Sequence, residues 1–256
     1  MKFSACIEWL FAEGDASFPE RIVRAKAAGL DAVEFWEWTS KDLPGIRAAL
    51  TETGLPVAAI LSEPTGRLVD RSTHAAFLDG VSESAEIAAR LGGAALIVVS
   101  GDALIEVSRD EQRGAIVDAL RAAAPLARRR QVTLVLEPIN LEEAPDNFLF
   151  SIGEGLDIVE AVGDPNVKLL ADLYHSSVMG EDVFTTARDR VDLIGHVHVA
   201  DHPDRHEPGT GRVDWARHLA WLARNGYSDY VGLEYMPMLE TASSLELVRA
   251  IGARVA

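Results

Sequence analysis

Short apolar runs alternate with longer amphipathic stretches along the chain. The runs are rich in β-branched residues and the stretches between them have helical spacing, which is typical of repeated β-α units around a parallel sheet. We predict eight strands, at residues 3–7, 32–35, 56–61, 95–99, 133–136, 167–171, 193–199 and 230–233. We predict eight helices, near residues 18–28, 42–53, 73–91, 110–129, 152–162, 183–190, 214–225 and 243–254.

Turn and cap residues support these boundaries. Ser17 and Pro19 are typical of a helix start, and Gly29 is typical of a helix end. Eight β-α pairs in 256 residues match a closed barrel. An open doubly wound sheet usually has fewer strands and often a Gly-rich phosphate turn, and no G-x-G-x-x-G follows the first predicted strand. The sequence therefore predicts an α/β protein, a single (β/α)8 TIM barrel domain spanning residues 1–256.

Composition and charge reduce the classes of partner that we expect. The chain is 48% hydrophobic and 25% charged, and its formal net charge is −16. We expect neither nucleic acid nor a membrane as a partner, because this charge repels phosphate backbones and anionic lipid. Cys6 is the single cysteine, which excludes an internal disulfide and a thiolate zinc cluster. Without a long apolar run or a signal-peptide pattern, we expect a cytoplasmic protein. Whether it forms a homo-oligomer is left open.

The last four predicted strands each end in a potential metal ligand. In TIM barrels the chemistry lies at the C-terminal ends of the strands. Those ends carry Glu137 in LVLEPIN, Asp172 in LLADLYH, His198 in GHVHVAD and Glu234 in VGLEYMP. One acid at a strand end is usually just a solvated residue, but four potential ligands on successive strands favour a shared site. Neighbouring strands lie about 5 Å apart, so these side chains can converge on one divalent ion. Three carboxylates and an imidazole suit Mn²⁺ or Mg²⁺ first, with Co²⁺ or Zn²⁺ as alternatives.

The segment HVHVADHPDRHEPGTG, residues 196–211, concentrates further titratable groups. His196 and His198 share one face of the seventh predicted strand, and His198 is nearer the rim. For His196 we leave open a buried, hydrogen-bonded role and a functional one. Arg205 is a candidate to hold a substrate carboxylate or hydroxyl, with a surface ion pair to Glu207 as the alternative. Asp201 either orients a ligand or caps a turn.

Several segments resemble a known family. LEPIN, ADLYHSSVM, IGHVHVADHPDRHEPGTGRVDW and VGLEYMP, with KFSACIEWLF and AGLDAVEF, resemble the hydroxypyruvate isomerase family of the xylose isomerase-like (AP endonuclease 2 type) TIM barrels. The resemblance spans essentially the whole chain. Its ADxPxRxEPGTG pattern is specific to this branch, whereas EPxN and DxxH are shared with ketose 3-epimerases and endonuclease IV-like enzymes. The resemblance implies that Glu137, Asp172, His198 and Glu234 bind the metal, that Glu137 and Glu234 are catalytic, and that His175, Arg205 and Glu143 contact substrate.

The resemblance implies an isomerase that acts through an enediolate, converting hydroxypyruvate to tartronate semialdehyde. Its partner would be a small oxo acid or ketose. Well-known hydroxypyruvate isomerases carry glutamine where His198 stands, and ketose epimerases carry histidine. A ketose 3-epimerase of tagatose or allulose type and a 2-oxo-tetronate isomerase therefore remain as alternatives. An endonuclease IV-like phosphodiesterase is disfavoured, because LSEPTG and VVSGD after the third and fourth predicted strands lack the further histidines. Whether Glu137 or Glu234 is the base is left open, as is whether Trp9, Trp36 and Trp38 wall the pocket or pack the barrel.

Overall fold

The eight predicted strands close into a barrel. A computed structural model describes residues 1–93 and 95–252. Each strand pairs in parallel with the next, and the eighth pairs with the first. They are β1 (Lys2–Cys6), β2 (Ala32–Phe35), β3 (Val57–Leu61), β4 (Ala95–Val99), β5 (Leu134–Glu137), β6 (Val167–Asp172), β7 (Ile194–Val199) and β8 (Tyr230–Leu233). The (β/α)8 prediction is confirmed, and every strand lies within one residue of its predicted bounds.

Helices surround the strands. They are α1 (Phe18–Ala27), α2 (Leu43–Thr53), α3 (His74–Arg90), α4 (Arg109–Arg129), α5 (Ile152–Val162), α6 (Leu173–Val178), α7 (Val183–Thr186), α8 (Trp215–Arg224) and α9 (Thr241–Gly252). The helix predicted at 243–254 corresponds to α9, and its last two predicted residues lie outside the described residues. Ala94 and residues 253–256 also lie outside them, so a single domain over all of 1–256 stays a prediction.

Two helices differ from the prediction. The helix predicted at 183–190 ends at Thr186, and the backbone turns into the left-handed region at Asp189, where φ is 61°. Helix α6 was not predicted. It starts directly after β6 because the Asp172 side chain accepts hydrogen bonds from the backbone N–H groups of Tyr174 and His175. An N-cap aspartate satisfies amides that a helix start leaves unpaired, so one carboxylate both ends the strand and begins the helix.

The barrel interior is divided into an apolar and a polar half. Ala59, Ile97, Val135 and Leu170, from β3 to β6, form a separate buried apolar cluster. The strands β7, β8, β1 and β2 instead bring together buried polar residues, among them His196, His198, Glu234, Ser4 and Glu34. The alternate residues of these strands, such as Val197, Val199, Val231 and Leu233, belong to the larger apolar core. This period-2 alternation leaves the polar side chains facing one another.

Among the described residues, no helix has the length and apolar character needed to cross a membrane. The cytoplasmic location stays a prediction.

Candidate metal centre and substrate pocket

The four predicted metal ligands lie together at the C-terminal mouth of the barrel. Glu137, Asp172, His198 and Glu234 are all buried, and each offers one ligand atom within 4.8 Å of the other three. Nδ1 of His198 lies 3.6 Å from Oε1 of Glu137 and 3.4 Å from Oε2 of Glu234. Four consecutive strands therefore place three carboxylates and one imidazole in a single cluster.

The cluster has the features that a divalent cation requires. Metal bonds of about 2.0–2.2 Å put any two ligands of one ion within about 4.4 Å of each other, so at most a small contraction is needed here. Nδ1 of His198 is buried and has no hydrogen-bond partner among residues 1–93 and 95–252, although it faces carboxylates. Burial would lower the pKa of His198, but Glu234 and Glu34 raise it well above its ordinary 6.5. The site thus favours added positive charge, and its residues fit a bound ion.

Asp172 is oriented by the start of α6. Its Oδ1 accepts from the N–H of Tyr174 at 2.7 Å and from the N–H of His175 at 3.1 Å. Its Oδ2 faces the cluster, 3.6 Å from Nη2 of Arg205 and 3.5 Å from Nε2 of His175. One carboxylate oxygen is therefore used for structure, and the other is available to the site.

Glu234 is held on both of its oxygens. Oε1 accepts from Nε1 of Trp36 at 2.7 Å, and Sγ of Cys6 lies 3.8 Å from the same oxygen. Oε2 accepts from Nη2 of Arg205 at 2.5 Å. Burial would raise the pKa of Glu234, but His198, Arg205 and the Trp36 hydrogen bond together hold it well below its ordinary value. Glu234 is therefore an anion with a fixed orientation.

Arg205 connects the cluster to the rim. Besides Glu234, it donates to Oε2 of Glu143 at 2.6 Å, and its guanidinium lies 5.0 and 5.1 Å from the ring centres of Trp9 and Tyr174. Burial would lower the pKa of Arg205, but the surrounding carboxylates raise it further above its ordinary value. The alternative prediction, a surface ion pair between Arg205 and Glu207, is wrong. Glu207 is buried and accepts a hydrogen bond from the N–H of Met238 instead.

His175 is oriented by Asn140, which was not predicted as a site residue. Oδ1 of Asn140 accepts from the backbone N–H groups of Glu142 and Glu143, at 2.9 and 2.8 Å. Its amide nitrogen must then be the atom 2.6 Å from Nδ1 of His175, and that nitrogen can only donate. A neutral His175 therefore carries its proton on Nε2, the atom nearest Asp172. This places a hydrogen-bond donor beside the cluster.

The loop after β7 is organised by Asp201. Its carboxylate accepts from the backbone N–H groups of His202, Gly209 and Val213, which assigns it the turn-capping role. A Cβ on Gly211 would lie 2.4 Å from Oδ1 of Asp201 and from the carbonyl oxygen of His202. Only glycine allows this close approach, so these residues set the path of the loop that carries Arg205.

His196 makes a buried hydrogen bond. Its Nε2 lies 2.9 Å from Oε2 of Glu34, on the far side of the barrel interior. Oε1 of Glu34 lies 3.1 Å from Nε2 of His198. Burial would raise the pKa of Glu34, but the two histidines lower it to about 2. Glu34 was not predicted as a site residue, although it lies on a predicted strand, two residues after Ala32 and therefore on the same face.

The tryptophans divide between pocket and core. Trp36 donates to Glu234, and the Trp9 ring packs edge-on against it at 5.0 Å. Trp38 is buried and donates to Oγ of Ser84, so it packs the fold. Beside the cluster is a cavity of about 390 Å³, a size typical of small-molecule sites. Its lining combines apolar walls with all three predicted substrate contacts, and it includes Trp36, Leu61, Ile97, Val99, Ile139, Glu137, Glu143, His175, Arg205 and Glu234.

A closed eight-stranded barrel with a carboxylate–histidine cluster at its mouth defines the class of the protein. The family model described as the xylose isomerase-like TIM barrel matches residues 22–251, and the chain belongs to this family.

Named relatives cover almost the whole chain. Hydroxypyruvate isomerase of Escherichia coli (strain K12) is 29% identical, covering 96% of this chain and 97% of that protein. A 2-oxo-tetronate isomerase of Cupriavidus necator is 28% identical, covering 95% and 96%. A crystal structure described as AP endonuclease, family 2, from Brucella melitensis has a TM-score of 0.90 and 27% identity, covering 97% and 98%. The predicted resemblance to the hydroxypyruvate isomerase family is confirmed.

Proposed function

We propose that this protein is a metal-dependent isomerase that interconverts hydroxypyruvate and tartronate semialdehyde through an enediolate. The observation that carries the proposal is the convergence of Glu137, Asp172, His198 and Glu234 within 4.8 Å at the barrel mouth. These four residues would hold one divalent ion, Mn²⁺ or Mg²⁺ first. The enzyme class agrees with the names of the relatives, which are isomerases.

The reaction moves one proton between neighbouring carbons. A base removes a proton from C3 of hydroxypyruvate, and the electron pair forms the C2=C3 bond of the enediolate as negative charge develops on the C2 oxygen. A proton then returns to C2, the C3 hydroxyl gives up its proton as its C–O bond becomes the aldehyde C=O, and the C2 oxygen takes up a proton to become a hydroxyl. A bound divalent ion supplies positive charge that stabilises the developing oxyanion. We assign the proton transfers to Glu137 and Glu234, which both line the cavity.

Three residues at the cavity wall would hold the substrate. Nε2–H of His175 offers a hydrogen-bond donor beside the cluster, because Asn140 donates to Nδ1 of the same ring. Arg205 offers the planar fork that binds a carboxylate or a pair of hydroxyls. Glu143 fixes the other side of this guanidinium and lies at the exposed rim, where it can accept from a substrate hydroxyl.

A ketose 3-epimerase is the second candidate, and His198 favours it. Its Nδ1 points at Glu137 and Glu234, so the histidine typical of ketose epimerases is part of the cluster here. An epimerase would remove and return a proton on the same carbon, with the same two glutamates. A 2-oxo-tetronate isomerase would use the chemistry of the first proposal on a four-carbon acid.

A phosphodiesterase is not proposed, although one solved relative is described as an AP endonuclease. Ser62 and Ser100 follow β3 and β4 where that chemistry would need further metal ligands. The net charge of −16 also opposes binding to a DNA backbone.

Proton NMR in D₂O tests the proposal. The metal-free protein is given hydroxypyruvate, a 2-oxo-tetronate, tagatose, fructose or a tetrulose, each with and without Mn²⁺. We expect metal-dependent deuterium at C2 of tartronate semialdehyde; deuterium at C3 of a ketose would establish the epimerase instead. Glu142→Gln serves as a control variant that should exchange deuterium as the wild type does, because Glu142 is an exposed neighbour of Glu143. Absence of exchange in every compound with Mn²⁺ present would refute the proposal.

A further inference from the structure

We propose that Glu34 is a positioning residue that fixes the His198 ring so that Nδ1 faces the metal cluster. The inference rests on the proposed function, because it concerns how that function's metal ligand is oriented. Glu34 lies on β2 and His198 on β7, so their contact crosses the barrel interior. Glu34 is 2% exposed and lies beyond the four-ligand cluster.

The two nitrogens of His198 face different carboxylates. Nδ1 lies among Glu137 and Glu234, as described above. Nε2 lies 3.1 Å from Oε1 of Glu34, an ion-pair distance, although the ring is not aligned there for a full hydrogen bond. A histidine that binds a metal through one nitrogen usually gives its other N–H to a carboxylate, which sets the tautomer and the ring orientation and raises ligand basicity. Glu34 occupies that position for His198.

Glu34 is itself held in place by two donors. Oγ of Ser4 donates to Oε2 at 2.8 Å, and Nε2 of His196 lies 2.9 Å from the same oxygen. Oε1 has no hydrogen-bond partner among the described residues and is therefore the oxygen left for His198. The interior histidine His196 thus gains a role, which is to orient Glu34.

The strand between them is shaped for this contact. Gly232 on β8 pairs with His198 on β7. A Cβ on Gly232 would lie 2.3 Å from Oε1 of Glu34 and 2.6 Å from Cδ2 of His198. Any side chain at this position would push the carboxylate and the imidazole apart, so glycine is required by their approach.

Glu34, His196 and His198 also have the spacing of a possible three-ligand metal site. Nε2 of His196 is already used in its hydrogen bond to Glu34, which favours the positioning role over a second ion. The number of ions bound per chain separates the two readings.

Calorimetric titration of the metal-free protein with MnCl₂ tests the inference. We expect one Mn²⁺ per chain in the wild type and, in Glu34→Gln, the same stoichiometry with a Kd about 10–100-fold higher. Ser4→Ala, which removes one hydrogen bond to Glu34, should raise the Kd by a smaller factor. Glu181→Gln is the matched control: Glu181 also accepts several hydrogen bonds, from Ser151, Ile152 and Gly153, but at the start of α5. Its Kd should equal that of the wild type.

A spectroscopic readout separates positioning from general stability. With Co²⁺ as the probe, the N–H proton of the coordinating imidazole gives a paramagnetically shifted NMR signal. We expect a slowly exchanging signal in the wild type and in Glu181→Gln, and faster exchange or a changed shift in Glu34→Gln.

An unchanged Mn²⁺ Kd in folded Glu34→Gln would overturn the inference and leave the proposed function standing. The inference would also be overturned if the wild type bound two ions per chain and Glu34→Gln bound only one. If Glu34→Gln does not fold, an unchanged Kd in Ser4→Ala overturns the inference. A wild type that binds no Mn²⁺ overturns both proposals, which is how their failures are told apart.

Discussion

Asn140→Asp tests the assignment of the His175 proton. The substitution conserves size, and the oxygen that accepts from the N–H groups of Glu142 and Glu143 is retained. The group 2.6 Å from Nδ1 of His175 changes from a donor into an acceptor. Nδ1 must then carry a proton, and a neutral ring leaves Nε2 bare, 3.5 Å from Oδ2 of Asp172.

The size of the effect follows from counting hydrogen bonds. Two of the three bonds of Asn140 are unchanged, so the fold should be retained. At the site, the substrate loses one donor and meets an unpaired lone pair instead, and such a buried unsatisfied group costs about 1–3 kcal/mol. Because 1.4 kcal/mol corresponds to a factor of ten, we expect kcat/KM to fall about 5- to 150-fold.

The assay combines ¹⁵N NMR of the histidine rings with steady-state kinetics. In the wild type we expect His175 to show an unprotonated Nδ1 and a protonated Nε2, and in Asn140→Asp a protonated Nδ1. Asn147→Asp is the control: Asn147 is also buried, but it bonds to Ser100 and to the carbonyl oxygens of Ile139 and Leu149. It should lose stability without changing the His175 signals. A protonated Nδ1 in the wild type would refute the reasoning, and a variant that loses Nε2–H but keeps full activity would refute its link to substrate binding.

Four other substitutions have defined outcomes. Glu137→Gln and Glu234→Gln should each lower kcat by about 100-fold or more while circular dichroism stays unchanged, since each carboxylate is assigned a proton transfer; near wild-type turnover in both would contradict the assignment. Glu63→Gln should destabilise the fold by about 1–2 kcal/mol at neutral pH in urea titrations. Burial would raise the pKa of Glu63, but hydrogen bonds from Thr39 and Trp38 lower the pKa below 4.5. The stability that the ionised carboxylate contributes is therefore present above pH 4.5, and the difference between wild type and variant should shrink as the pH falls below 4.5. A difference that grows in acid would contradict this. Gly211→Ala should cost about 1–3 kcal/mol by overpacking and should raise KM, because the same loop carries Arg205; an unchanged KM would separate the loop from substrate binding.

Much of the fold could be predicted because the periodicity of the sequence reports burial. The strands were located within one residue, since a parallel strand buried on both faces reads as an apolar run. Helix α6 was missed because it has only six residues and follows β6 without a turn. Its start depends on the Asp172 side chain, which accepts hydrogen bonds from the next backbone amides. The strand-end pattern that predicts Asp172 as a metal ligand gives no sign of this capping role.

The cluster at the mouth could be predicted for a related reason. Glu137, Asp172, His198 and Glu234 end consecutive strands, so chain order alone makes them neighbours. Arg205 was predicted as a site residue, but its carboxylate partners were not, because the alternative partner considered, Glu207, was only near in sequence. The actual partners, Glu143 and Glu234, follow other strands and meet Arg205 only when the barrel closes.

Glu34 shows where sequence periodicity stops being informative. Alternation places its side chain in the barrel interior, but it does not say which of the other strands that side chain will reach. The answer depends on closure: β8 returns beside β1 and contributes Gly232, whose missing side chain leaves room for the Glu34–His198 contact. The polar half of the interior is therefore a single connected structure, in which Ser4 and His196 hold Glu34, Glu34 holds His198, and His198 faces the proposed ion. The site therefore draws on both ends of the chain. Its four proposed ligands could be predicted because they lie at the ends of neighbouring strands, whereas the residues that support them come from distant strands and could not.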